Sequence, residues 1–173
     1  MNLLRYTYKQ PNGWTCGPAV ARVILHSFGE HKGLREMIRE LGTTRQGTAN
    51  RDLARLFHKY ALTFKEKNNA SLRDVKAKLK THWIVIAYWI PLHREAHYSI
   101  IKRVDSRRVY FHDTWFGSKH SYSTKYFIKN WWDEEGTRWF MAVKKTDLPT
   151  RERRRLSVLQ GRRDGVKRSS ALS

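Results

Sequence analysis

The chain holds a single cysteine, Cys16, so it can form no internal disulfide, and nothing in its thiol content points to an oxidising compartment. It has no apolar run of the length needed to cross a bilayer. Its opening residues, MNLLRYTYKQ, lack the hydrophobic centre of a signal peptide. Together these absences predict a cytoplasmic protein without a membrane span. Acidic side chains are scarce as well: 15 Asp and Glu stand against 35 Lys and Arg, a net charge of +20. The imbalance is not confined to one end. Residues 146–173 carry eight basic and three acidic side chains, a net +5, which leaves +15 on the rest. A field of that sign attracts nucleic acid, an anionic surface or an acidic protein. The plainer alternative is a basic exterior that does no more than solvate the fold.

Hydrophobic residues are not in short supply. They make up 40% of the chain, 13% of it is aromatic, and 173 residues suffice for one domain with a sizeable core. "CGPAVARVILHSF" places Ala19, Val20, Val23, Ile24 and Phe28 on one helical stripe, with Pro18 in the first turn and Gly29 as the stop. "GLREMIRELG" predicts a shorter helix closed by Gly42. "GTANRDLARLFHKYAL" predicts a third, burying Leu53, Leu56, Phe57 and Tyr60. A fourth spans 71–80, opened by the cap-like "SLRD". The period then changes. "WIVIAYWI" reads as a buried strand, and "HYSIIKRV", "DSRR" and "VYFHD" read as strand, turn and strand. "STKYFIKNWW" predicts a helix and "TRWFMAVKK" a closing strand. Helices first and strands later predict an α+β fold, N-terminal helices packed on a C-terminal antiparallel sheet, over residues 1–145. Residues 146–173 are Arg-rich and weakly patterned, which predicts a mobile basic tail.

An isolated cysteine is most often a small buried hydrophobe. Cys16, however, falls at a predicted helix N-terminus, where unpaired N–H groups and the helix dipole favour a thiolate. Six residues upstream, across "PNGWT", Gln10 can curl back and donate to charge developing on a substrate oxygen. The Cys16 N–H supplies a second donor for such an oxyanion hole. A nucleophilic thiol also needs a base and a group that orients the base. Among eight histidines, His97 stands out because it opens an apolar strand directly after "REA". Asp113 ends the next strand. The two share a face only if the connecting loop has an odd number of residues, or if a bulge intervenes.

"QPNGWTCGPA" resembles the bacteriocin-processing, double-glycine peptidases, a family of papain-like cysteine peptidases. The similarity continues in order through Gly47–Thr48 before a helix, "HYSII", "HDTW" and the serine-led "STKYFIKNWW", covering about residues 5–145. The resemblance implies a papain-like fold, a peptide or protein substrate and no cofactor. It implies Cys16 as nucleophile, His97 as general base and acid, Asp113 as the residue orienting His97, and Gln10 as oxyanion donor. One departure falls at Thr114, which follows Asp113 where the family usually places proline.

Other readings stay open from the residues alone. The same thiol chemistry serves an acyltransferase if an amine or thiol replaces water. A catalytically inactive papain-like binding protein would keep the fold for recognition. A nucleic-acid-binding module would use the basic surface, with the aromatics of "YFIKNWW" and "TRWF" exposed for stacking. "HREAH" spaces His93 and His97 four apart, as a metal site on a helix would, with His112 and Asp113 to complete the shell. Because this segment lies between Pro91 and a strand, no metal is expected.

Overall fold

In the computed structural model, which describes residue 4 and residues 7–145, the helical and strand halves of the sequence interleave at two points. A single 3₁₀ turn at Gly13–Thr15 leads into α1 (Cys16–Ser27), followed by α2 (Leu34–Leu41) and α3 (Asn50–Lys59). Then come β1 (Phe64–Lys67), α4 (Leu72–Leu79), β2 (His82–Ile90), β3 (Glu95–Val104), β4 (Arg108–His112), β5 (Ser121–Ser123), α5 (Thr124–Asn130) and β6 (Phe140–Lys144). The strands form one six-stranded sheet in the order β1-β6-β2-β3-β4-β5, with every pairing antiparallel. The expected α+β architecture is therefore present. The basic tail expected at 146–173 lies outside the described residues.

Both sheet faces are covered, which explains why β2 reads as an unbroken apolar run. Trp83, Val85 and Ala87 of β2 face α1, α2 and α3, while Ile84, Ile86, Tyr88 and Ile90 face α4 and α5. α1 is buried nearly all round rather than along one stripe, because Ala21, Leu25 and His26 are also enclosed. Ser71 caps α4 as its sequence predicts: its hydroxyl accepts from the Asp74 N–H while Asp74 accepts from the Ser71 N–H. Tyr60, expected in the core, is only half-buried and turns its hydroxyl toward Glu40. No helix among the described residues is long and apolar enough to cross a membrane.

The β3–β4 hairpin sets the geometry of the site. Val104 pairs with Val109, leaving a connection of four residues, 105–108, in which the Asp105 carboxylate accepts from the Arg107 and Arg108 N–H groups. An even loop alone would send His97 and Asp113 to opposite faces. The register, however, shifts between Ile101 and Arg103, so that Ile101 meets Phe111 and Ile100 meets His112. Lys102 is the extra residue, and its ammonium donates to the Ser118 carbonyl in the loop beyond β4. Continuing the shifted register by one step puts Asp113 across from Ser99, two positions from His97 and on the same face.

Candidate active site

Cys16 is the first residue of α1, and its side chain is buried at the mouth of the helix. Gly17 follows it for a steric reason. A Cβ there would stand 2.5 Å from the Thr48 hydroxyl oxygen, so only glycine lets the 47–50 segment approach the first turn of α1 so closely. That segment walls a cleft into which Cys16 opens, together with Glu95, Ala96 and Tyr98 of β3 and residues 133–135. Glu95, Asp133, Glu134 and Glu135 give the cleft a carboxylate lining, and Arg45 is its one basic lining residue among the described residues. Among the described residues, the basic side chains that would attract an acidic partner thus lie, apart from Arg45, outside this cleft.

His97 is 3% exposed, and its Nε2 lies 3.1 and 3.2 Å from the two carboxylate oxygens of Asp113. A carboxylate only accepts, so Nε2 carries the proton, and Cys16 lies near enough to act on the same ring. Tyr88 and Phe116 meet the imidazole edge-on at 5.4 and 6.0 Å, holding its plane. Burial pulls the imidazole down. Hydrogen bonds and charge from Asp113 and Cys16 outweigh that pull, and His97 is pushed up to about 10.

Asp113 is fixed by its own turn. Its Oδ1 accepts from the Trp115 and Phe116 N–H groups at 2.8 and 2.9 Å, and Tyr88 donates to Oδ2 at 3.4 Å. Burial pushes its carboxyl up, but the His97 bond and charge and the Phe116 N–H hold it well below the usual carboxylate range. Gln10 is 2% exposed. Its Nε2 donates to the Asn12 carbonyl at 2.8 Å, leaving one amide hydrogen uncommitted by that bond. Of the four residues singled out in the sequence, three thus form one chain, and the fourth is tied to its end. Cys16 meets His97 and His97 meets Asp113, while Gln10 joins the same turn through the residue after Asp113.

The metal reading fails on backbone geometry. Residues 91–94 turn into β3, with Arg94 at φ 55°, so His93 and His97 are not on a helix. His93 instead meets the Trp115 ring at 6.2 Å. No group of three His, Cys, Asp or Glu among the described residues is placed to hold a metal ion. Most of the aromatics offered for base stacking go inward: Phe127, Trp131, Trp139 and Phe140 are buried and Trp132 stacks on Trp89 at 4.5 Å, while Tyr126 alone stays 42% exposed. Sequence reasoning missed Tyr88, Thr114 and the chain Asp133–Asn50–Tyr98 behind the cleft. Only Thr114 had a signal, as the departure beside Asp113.

The Peptidase C39 family matches residues 5–137. Among solved structures, a double glycine motif protease from an AMS/PCAT transporter, in complex with the leader peptide, is similar with a TM-score of 0.65 at 17% identity. That likeness covers 82% of this chain and 91% of the other. The peptidase domain of Streptococcus ComA, a bifunctional ABC transporter of a quorum sensing pathway, also gives 0.65, at 18% identity, covering 80% and 97%. The same domain from Streptococcus mutans, with a small-molecule inhibitor, gives 0.56 at 16% identity, covering 81% and 99%. At such identities these likenesses speak to fold alone. No curated protein matches the chain.

Proposed function

The chain belongs to the Peptidase C39 family of cysteine peptidases, and from that premise we propose that it cleaves a peptide bond with Cys16, His97, Asp113 and Gln10. The observation that carries this reading is the His97 imidazole, held by Asp113 through Nε2 with the one cysteine of the chain near enough to raise it. In the proposed reaction the Cys16 sulfur attacks the scissile carbonyl carbon, forming the C–S bond as His97 holds the proton. The carbonyl oxygen takes up the negative charge, which Gln10 Nε2–H and the Cys16 N–H receive. Collapse breaks the C–N bond, and His97 hands its proton to the leaving amine. The thioester is then hydrolysed by water that His97 deprotonates, returning thiol and free acid. Asp113 keeps its own charge throughout; it fixes the ring and stabilises the imidazolium.

The relative solved with a leader peptide supports a peptide as the substrate class. We assign the peptidase domain to residues 1–145, with 146–173 appended to it. Because Cys16 is the sole thiol, iodoacetamide reports on it alone. His97→Ala is expected to slow both alkylation and cleavage of a degenerate peptide library by about 10²–10⁴-fold, and Cys16→Ala to abolish both. A His97→Ala protein that alkylates and cleaves like wild type would overturn the assignment.

A further inference from the structure

The backbone between Asp113 and Thr114 joins two parts of the site. Thr114 is 2% exposed, and its hydroxyl donates to Gln10 Oε1 at 2.7 Å. The Gln10 N–H donates in return to the Thr114 carbonyl at 2.9 Å. Residues 104 apart in sequence are therefore clasped at two points, one through the backbone and one through the side chains. The clasp decides which way the Gln10 amide points. With Oε1 on the Thr114 hydroxyl, Nε2 faces the Asn12 carbonyl at 2.8 Å. A flipped amide would set two carbonyl oxygens against each other there, so the observed orientation satisfies both ends and the reverse does not. A hydroxyl donating to the amide oxygen also polarises the amide and strengthens its N–H as a donor.

We propose that Thr114 is a positioning residue for Gln10, fixing the amide so that its remaining N–H meets the oxyanion of the tetrahedral intermediate. This rests on the reading of Gln10 as an oxyanion donor. Adjacent side chains of one turn then divide the work: Asp113 orients the base and Thr114 orients the oxyanion donor. The turn sets the nucleophile–base pair and the oxyanion hole in register with each other.

Two reactions of the same sulfur separate these roles. Acetylation by p-nitrophenyl acetate passes through an oxyanion: the C–S bond forms, the C–O bond breaks and p-nitrophenolate leaves. Alkylation by iodoacetamide displaces iodide at a saturated carbon and has no such intermediate. The measured quantity is the ratio of acetylation to alkylation rate. Gln10→Ala is expected to lower it about 100-fold, the loss typical of one oxyanion donor. Thr114→Val, close in shape but without the hydroxyl, is expected to lower it about tenfold, and Thr114→Ser to restore it to within about twofold of wild type. In a Gln10→Ala background, Thr114→Val should change the ratio no further, and alkylation should stay near the wild-type rate in all these variants. A Thr114→Val protein with an unchanged ratio, beside a Gln10→Ala protein with a lowered one, overturns the positioning role and leaves the oxyanion reading standing. An unchanged ratio in Gln10→Ala overturns both. Loss of alkylation in Thr114→Val would place the effect on Asp113 and His97 and likewise overturn the proposal.

Discussion

Two turns of the molecule are built alike and do different work. In the first, Asp113 accepts from the N–H groups of Trp115 and Phe116, and Gly117, at φ 95°, donates back to the Asp113 carbonyl. In the second, Asp133 accepts from the N–H groups of Glu135 and Thr137 at 3.1 and 2.9 Å. There Gly136, at φ 74°, donates to the Asp133 carbonyl. Both aspartates are buried. They differ in what stands across from the second carboxylate oxygen. Asp113 meets the His97 imidazole; Asp133 meets the Asn50 amide at 3.1 Å and the Thr137 hydroxyl at 3.2 Å. Asn50 in turn holds the Tyr98 hydroxyl, 2.5 Å from its Oδ1. His97 and Tyr98 are successive residues of β3 and point to opposite faces, so each face of the strand is braced by its own aspartate turn. A local D-x-x-x-G or D-x-x-G pattern builds the cradle, and the tertiary partner decides whether the cradle holds a base or a wall.

Asparagine at each position separates the two roles. Asp113→Asn replaces an acceptor with an amide that can donate toward Nε2, which favours the wrong tautomer of His97. Peptide cleavage and Cys16 alkylation are expected to fall about 10³-fold. Asp133→Asn leaves a backbone acceptor at Oδ1 but sets its amide against that of Asn50. Its expected effect is a loss of about 1–3 kcal/mol in urea unfolding, with alkylation within about threefold of wild type. Equal losses of alkylation in the two variants would show that the cradles do not differ as their partners suggest.

Much of this was legible in the sequence, and the remainder was not for identifiable reasons. Cys16 at a helix mouth follows from apolar periodicity and a Gly-Pro pair, whereas His97, expected to open its strand, is the third residue of β3, which already pairs with β2 at Glu95. β1 was missed because "FKEK" turns mostly exposed side chains to solvent and is a strand only by pairing its backbone with β6. β5 was missed because "SYS" is three residues on the other edge, with no apolar alternation. The parity of His97 and Asp113 depends on the extra residue at Lys102. A bulge formed by an ordinary lysine in "SIIKRV" leaves no trace in composition. The tasks of Thr114 and Asn50 depend on Gln10 and Asp133, 104 and 83 residues away in sequence, which periodicity does not reach.

The imidazole partner also predicts a difference in pH response. His97 is raised in the folded state, so its contribution to stability is full below its ordinary value of about 6.5. That contribution is lost as pH climbs through about 10. Asp113 is lowered, so its contribution is present above about 3.9 and fades as pH falls toward its folded value. The stabilising pair is therefore complete between about pH 4 and 6.5. Urea midpoints of wild type and Asp113→Asn should lie furthest apart near pH 5 and draw together from pH 6.5 toward 10. For Asp133→Asn, which removes no histidine contact found among the described residues, the gap from wild type should stay level over that interval. Parallel curves for both variants would remove the coupling from the His97–Asp113 pair.

The smallest expected effect lies in the glycines that close the two turns. A Cβ at Gly117 or Gly136 would meet nothing within 4 Å, so alanine there is opposed by backbone conformation and not by a clash. At φ 95° and 74° that opposition is about 1–2 kcal/mol at each position. Unfolding measurements should therefore not distinguish Gly117→Ala from Gly136→Ala. Alkylation should. Relaxing the first turn moves the N–H groups that hold the carboxylate behind His97, so Gly117→Ala is expected to slow Cys16 by a few-fold. Gly136→Ala moves a carboxylate that touches no base, and Cys16 should react at the wild-type rate. If both alanines slow the thiol alike, the turns are one mechanical unit across β3. If neither does, the His97–Asp113 contact is held by Tyr88 of β2 rather than by the turn that carries the aspartate.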